Sequence, residues 1–185
     1  FDYQHFGGES WNKVLATGEH TPGVDKQMDE FAGYVDFRQD ISSWFSLDAG
    51  IRVDHHSHVG TEWIPQGGLA FHLRKNAELK AMVSKGYRNP TIREMYMFPP
   101  ANPELKPEKL INYELSYSQR LLEGVLSYGI SLYYINGDNL IMSNGLFPPL
   151  NINSGEIENC GVETNIGYNI KSHWNVNANY SWIHM

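Results

Sequence analysis

The run YRNPTIREMYM (87–97) sets two guanidinium groups among two phenols: Tyr87, Arg88, Arg93 and Tyr96. A guanidinium binds a carboxylate bidentately, and a phenol ring stacks on a ligand. These four side chains are therefore candidates for contacting a bound molecule. The competing reading is internal: Arg88 pairs with Glu94, Glu104 or Glu108 and fixes a loop already stiffened by prolines. Met95 and Met97, beside Phe98, form a Met-x-Met of the soft thioether donors that suit Cu(I), although methionines also fill irregular apolar gaps. His55, His56 and His58 sit near Asp54 and Glu62, and imidazoles with a carboxylate can hold Zn, Cu or Fe. The plainer reading of such a cluster, and of His5 and His20, is solvated surface.

Composition removes several function classes. The chain has 14 Lys and Arg against 21 Asp and Glu, a net charge of −7. A nucleic-acid binder would show a basic face instead. The single cysteine, Cys160, excludes an internal disulfide and a thiolate metal cage. Mean hydropathy is −0.44, and no apolar run approaches the roughly 18 to 20 residues of a membrane helix. No export leader is visible, so an exported protein is expected to carry further residues upstream of Phe1. The chain reads as a segment, ending at Met185 inside a strand-like pattern.

The elements that position these side chains are strands, because alternation with period two dominates. In WFSLDAGIRVD, Phe45, Leu47, Ala49, Ile51 and Val53 form one face, against Ser46, Asp48, Gly50, Arg52 and Asp54. Similar alternation runs through AELKAMVSK, INYELSYS, VLSYGISLYYI and WNVNANYSW. About eight strands are expected, each of roughly 9 to 13 residues where 5 or 6 is usual. Short turns near 40–43, 74–76, 120–124 and 171–173 alternate with long loops near 55–62, 87–110 and 136–156. This short-long meander suits an outer-membrane barrel, with Trp44, Tyr87, Tyr134, Tyr168, Trp174 and Trp182 placed to form interfacial girdles. A soluble β-sandwich would show the same alternation. Cys160 falls on the face expected toward lipid, Glu163 is read as a luminal group paired with Arg52 or Lys80, and Gly155 and Gly161 mark a bulge or a close backbone approach.

Residues 84–117 carry a resemblance that narrows the choice. Ser84, Gly86, Tyr87, Arg88 and Pro90, then Asn102, Pro103, Leu105, Lys106, Pro107 and Glu108, then Tyr113, Glu114 and Leu115, resemble the strand–loop–strand signature of TonB-dependent outer-membrane receptors. AGIRVDHHS (49–57), NINSGEIENCGVETNIGY (151–168) and NVNANYSW (175–182) resemble flanking strands of that family, so the likeness runs in order over about 28–185. It implies an all-β, antiparallel up-and-down transmembrane β-barrel of 22 strands, of which this chain supplies about eight. Residues 1–30 are then an outer loop and strand end, and 31–185 the meander of strands, without the N-terminal plug domain or TonB box. The family implies import of a scarce nutrient by TonB-energised gating in the bacterial outer membrane. Its partners are lipid, the TonB complex through the plug, and a small ligand. That ligand is a ferric siderophore, haem, cobalamin or another metal complex, carried as cargo rather than held as a cofactor. No catalytic residues are expected. The boxes YRNP and NPEL resemble those of haem receptors, but the histidine such receptors often carry between them has no counterpart in 91–101. A passive porin or adhesin barrel and a soluble β-sheet binding module are the alternatives.

Overall fold

The computed structural model describes residues 1–74, 76–98, 100–170 and 174–185. Nine strands follow in chain order: β1 (Asp2–Lys13), β2 (His20–Ser42), β3 (Phe45–His56), β4 (Gly60–Arg74), β5 (Ala77–Arg88), β6 (Glu108–Leu121), β7 (Leu126–Ser143), β8 (Asn151–Ile170) and β9 (Trp174–His184). All nine belong to one antiparallel sheet in the order β1 to β9. A sandwich would divide them between two sheets, so the single meander decides for the barrel wall.

Directly opposed residues of an antiparallel pair face the same side, so the register sorts the two faces. Leu47, Leu69, Ala81, Leu115, Leu132 and Val162 form one row across β3 to β8. The next row, on the other face, holds Asp48, Gly68, Met82, Glu114, Tyr133 and Gly161. Leu69, Leu115 and Leu132 remain exposed although apolar, which is the surface that lipid covers. On β2, β3 and β4 the outward apolar row gives way to polar groups at Asp29, His55 and Thr61, which marks the outer edge of the apolar band.

Short turns close one end of the meander, at Ser43–Trp44 and Leu122–Gly124. The expected turn at 171–173, Lys75 of the turn at 74–76, and Pro99 lie outside the described residues. At the other end the connections are 14–19, 57–59, 89–107 and 144–150. Three stretches expected as loops are largely strand. Residues 1–30, expected as an outer loop and strand end, form the β1–β2 hairpin, and β2 runs for 23 residues. The expected loop at 136–156 narrows to 144–150, and that at 55–62 to the turn 57–59. Beyond the apolar band much of the strand surface is solvated on both faces, so the alternation that reveals a strand is lost there.

The two marked glycines differ in cause. Gly155 lies opposite the register shift between Gly137 and Ile141, where a Cβ would meet Met142 Sδ at 2.6 Å; it serves a bulge. At Gly161 a Cβ would collide with the Tyr133 hydroxyl, so a close cross-strand approach requires glycine. Cys160 is a free thiol in register with Tyr134 on the outward face. Glu163 meets neither Arg52 nor Lys80: it accepts from Ser181 Oγ at 3.4 Å, while Arg52 pairs with Asp2 and Asp54 and Lys80 with Glu78. Of the expected girdle aromatics, Trp44 packs on Phe45 and Phe71 at the turn end. Trp182 instead lies in the row of Leu132 and Val162, and Tyr87 turns to a polar cluster.

Candidate functional site

The β5–β6 connection (89–107) is the one long irregular connection among the described residues, and it folds back against the sheet. Its helical turn, Arg93–Met97, starts where Ile92 is already helical, which makes Thr91 the effective cap. Thr91 Oγ1 accepts from Glu94 N at 3.2 Å, and the Glu94 carboxylate accepts from Thr91 N at 2.8 Å. This reciprocal pair is a capping box. The turn places Ile92 and Met95 inward, where they meet Leu105 of the returning limb and Met28 of β2, with Phe6, Tyr96, Met97 and Ile141 around them. Met95 is fully buried. The loop thus carries the one cluster of buried apolar side chains among the described residues, and it ties β5 and β6 to β1 and β2.

Arg88 holds the root. Its Nη1 and Nη2 donate to Glu94 at 2.9 and 3.0 Å, and its Nε and Nη2 donate to Glu108 at 2.7 and 2.8 Å. One fork therefore joins the last residue of β5, the helical turn and the first residue of β6. Arg88 lowers the Glu108 carboxyl below its ordinary range, against an opposing effect of burial, and the Ile141 N–H adds to the lowering. Burial works to raise Glu94, but Arg88 and both Thr91 groups outweigh it and hold that carboxyl low as well. The structural motif residues complete the clasp. Asn102 Nδ2 donates to Asn151 O at 2.8 Å and its Oδ1 accepts from Glu104 N. Leu105, Pro90 and Pro107 are buried. Pro103 O accepts from His58 at 2.8 Å, which brings the turn 57–59 against the loop.

The other sequence candidates are only partly brought together. Tyr96 lies between Lys26, 5.1 Å from its ring centroid, and His58, whose ring meets it edge-on at 5.9 Å. Arg93 is exposed and lies over Phe98 at 5.1 Å, free of any ion pair among the described residues. Met95 is fully buried in the apolar cluster, and Met97 packs at its edge and reaches toward Gly8. The three histidines separate. His55 faces outward and bonds Thr61 Oγ1 at 2.8 Å. His56 is buried and accepts from His58 N and Val59 N through Nδ1, and His58 bonds Pro103. Among the described residues no three His, Cys, Asp or Glu side chains converge as a metal site. Burial holds the His56 imidazole below its ordinary range, and His58 pushes the same way.

Beneath the root lies a polar cluster that sequence reasoning missed. Tyr87 Oη donates to Glu30 of β2 at 3.1 Å, and Arg52 of β3 bridges Asp2 at 2.6 Å and the buried Asp54 at 3.2 Å. A cleft of about 680 Å3 opens above it, lined by Gln4, Phe6, Glu30, Tyr87, Asn89 and Arg93 among others. Asn151 and Asn153 were also missed as site residues. Asn151 donates to Glu94 O at 3.0 Å, and Asn153 exchanges bonds with the backbone of Lys106. Only Thr91-x-x-Glu94 carried a readable local signal for this layer.

Comparison with known proteins places this architecture. The model of the TonB dependent receptor-like β-barrel matches residues 1–184. Vitamin B12 transporter BtuB of Photobacterium profundum is 27% identical over 170 residues, covering 88% of this chain and 27% of that protein. The iron-regulated outer membrane virulence protein of Vibrio cholerae is 25% identical over 184 residues, covering 84% and 27%. The chain therefore spans about a quarter of the length of these relatives. Among solved structures, the siderophore receptor PirA of Pseudomonas aeruginosa superposes with a TM-score of 0.76 at 18% identity, covering 86% of this chain and 35% of that one. A variant of the ferric enterobactin receptor PfeA from the same organism gives 0.77 at 18%, covering 92% and 29%; identities this low speak for the fold alone. With the single-sheet meander, the outward apolar band and the family match along nearly its whole length, the chain belongs to the β-barrel of the TonB-dependent receptors of the outer membrane.

Proposed function

We propose that this chain is part of the wall of a receptor that binds a scarce nutrient at the outer surface and imports it by TonB-energised gating. The observation that carries the reading is the family match over residues 1–184, joined to a loop clasped over the inner face at its outer end. The relatives are by name a cobalamin transporter, an iron-regulated outer-membrane protein and siderophore receptors, which points to a ferric siderophore or cobalamin as cargo. The TonB complex and a plug are the implied partners, and the role is binding and gating, not catalysis. Within the site, Arg93 and Tyr96 are the best-placed of the sequence candidates to touch cargo. Tyr96 is half-buried beside a cation and Arg93 is exposed, whereas Arg88 is already saturated by two carboxylates.

The test is growth of a deletion strain on single sources of iron siderophore, haem, cobalamin and copper, with uptake of each measured directly. Loss of uptake of one of them, restored by the complete gene, is the expected result. Unchanged uptake of all four would reject the import reading for these ligands.

A further inference from the structure

The backbone ladder between β4 and β5 ends before the strands do. β3 and β4 stay paired up to His56 and Gly60, and β5 and β6 up to Arg88 and Glu108. The β4–β5 ladder stops at Gln66 and Ser84, although β4 reaches on to Gly60 and β5 to Arg88. Pro65 supplies the reason. Trp63 turns its carbonyl to the gap, where Lys85 Nζ donates to it at 2.8 Å. Main-chain groups two residues apart on a strand point the same way. The next donor the ladder needs is therefore the N–H that Pro65 lacks.

The contacts above that stop join opposite faces of the sheet. By alternation, Lys85, Tyr87 and Lys109 share the face of Ala81 and Leu115, whereas Glu30 and Glu62 share the face of Asp48 and Gly68. Yet Lys85 and Lys109 pair with Glu62 at 3.0 and 2.6 Å, and Tyr87 donates to Glu30 at 3.1 Å. An unbroken ladder would hold the sheet between these partners. The outer ends of β5 and β6 thus stand inside those of β2 to β4, outward side against inward side. Their loop continues the overlap, with Met95 and Leu105 packed on Met28 and Phe6. The loop is bonded to its own side of the seam through Asn102 to Asn151 and Asn153 to Lys106.

We propose that the outer wall is divided at the β4–β5 seam into two leaves. The outer ends of β5 and β6, with their loop, swing as one body about Gln66 and Ser84, between the tucked position described above and one withdrawn from β1 to β4. Glu62 is the fastener, since its one carboxylate holds two lysines of the moving leaf across a gap that no backbone bond closes. The cleft lies between the leaves, with Gln4, Phe6 and Glu30 on one side and Tyr87, Asn89 and Arg93 on the other, so it widens as they part.

The experiment measures spin-label distances by pulsed electron paramagnetic resonance in the full-length receptor, with Cys160→Ala removing the native thiol. One label pair, Gln27→Cys with Glu104→Cys, spans the leaves beside Met28 and Leu105. The other, Glu104→Cys with Leu146→Cys, lies within the moving leaf. Glu62→Gln should raise the ratio of long to short distances across the leaves by about tenfold, the weight of a charge-assisted hydrogen bond. Pro65→Val restores the missing donor, lets β4 pair with β5 above Gln66, and should shift the same distribution the same way. In both variants the distance within the leaf should stay as it is. Movement across the leaves under either substitution supports the seam. A distance across the leaves that neither substitution moves overturns it, and so does a distance within the leaf that broadens along with it, because the loop is then melting rather than swinging. No readout involves cargo, so failure here is separate from failure of the import reading.

Discussion

At the scale of single residues, Arg88 is the most heavily engaged side chain of the site. A guanidinium presents a fixed planar fork, and here the fork is filled by two carboxylates from different elements. Arg88→Ala leaves Glu94 and Glu108 without their counter-charge. Because Arg88 is partly exposed, the expected loss is modest, about 1–3 kcal/mol of loop stability, seen as faster cleavage within 89–107. Arg88→Lys should recover less than half of it, since an ammonium cannot bridge both carboxylates in a plane. The pH dependence of the clasp follows from its two carboxyls. Glu94 and Glu108 are lowered in the closed state, so their contribution is present above the ordinary carboxylate range and is lost as pH falls through their closed-state values. Wild-type loop cleavage should therefore rise below about pH 4, and Arg88→Ala should flatten that acid limb. The internal pairing of Arg88 was among the readings open from sequence, because its partners lie within 20 residues. The contact of Tyr87 with Glu30 was not, because 57 residues separate them and no local pattern joins β5 to β2.

At the scale of elements, legibility followed burial. Strands β3 to β9 show period two because lipid and lumen impose opposite chemistry on alternate side chains. The β1–β2 hairpin stands largely beyond that band, and its residues 1–30 read as a loop. The capping box Thr91-x-x-Glu94 is a local signal for the helical turn of TIREMYM, but what the turn packs against has none: Met28 and Phe6 come from the very hairpin whose strands were hidden. Leu105 tests whether the loop is an element held by its own core. Leu105→Ala removes a buried side chain from the cluster with Met28, Ile92 and Met95, at an expected 2–4 kcal/mol. Thr91→Ala should remove about 1 kcal/mol through the cap. Both losses should be local. Loop cleavage rises while the denaturant midpoint of the strands, followed by far-ultraviolet circular dichroism, stays unchanged. A fall in that midpoint would mean that the loop is part of the barrel's cooperative unit.

At the scale of the whole molecule, the two faces of one sheet answer to different solvents. Leu115 lies in a row with Leu69, Ala81, Leu132 and Val162, near the middle of the strands that cross the apolar band. Its chain neighbour Ser116 lies in the row of Lys80, Ser131 and Glu163 on the other face. The two positions share strand, depth and hydrogen-bonded neighbours, and differ in the side to which the Cβ points. Leu115→Arg should lower folding stability in a lipid bilayer by about 2–4 kcal/mol, the range for a cation on the lipid face near the midplane. Ser116→Arg, beside Glu163 on the wet face, should lower it by a small fraction of that. Reversible folding of the complete receptor into vesicles, followed by tryptophan fluorescence across a denaturant series, separates the two. Equal losses would mean that both faces are covered by protein, and the outward apolar band would then need another partner than lipid.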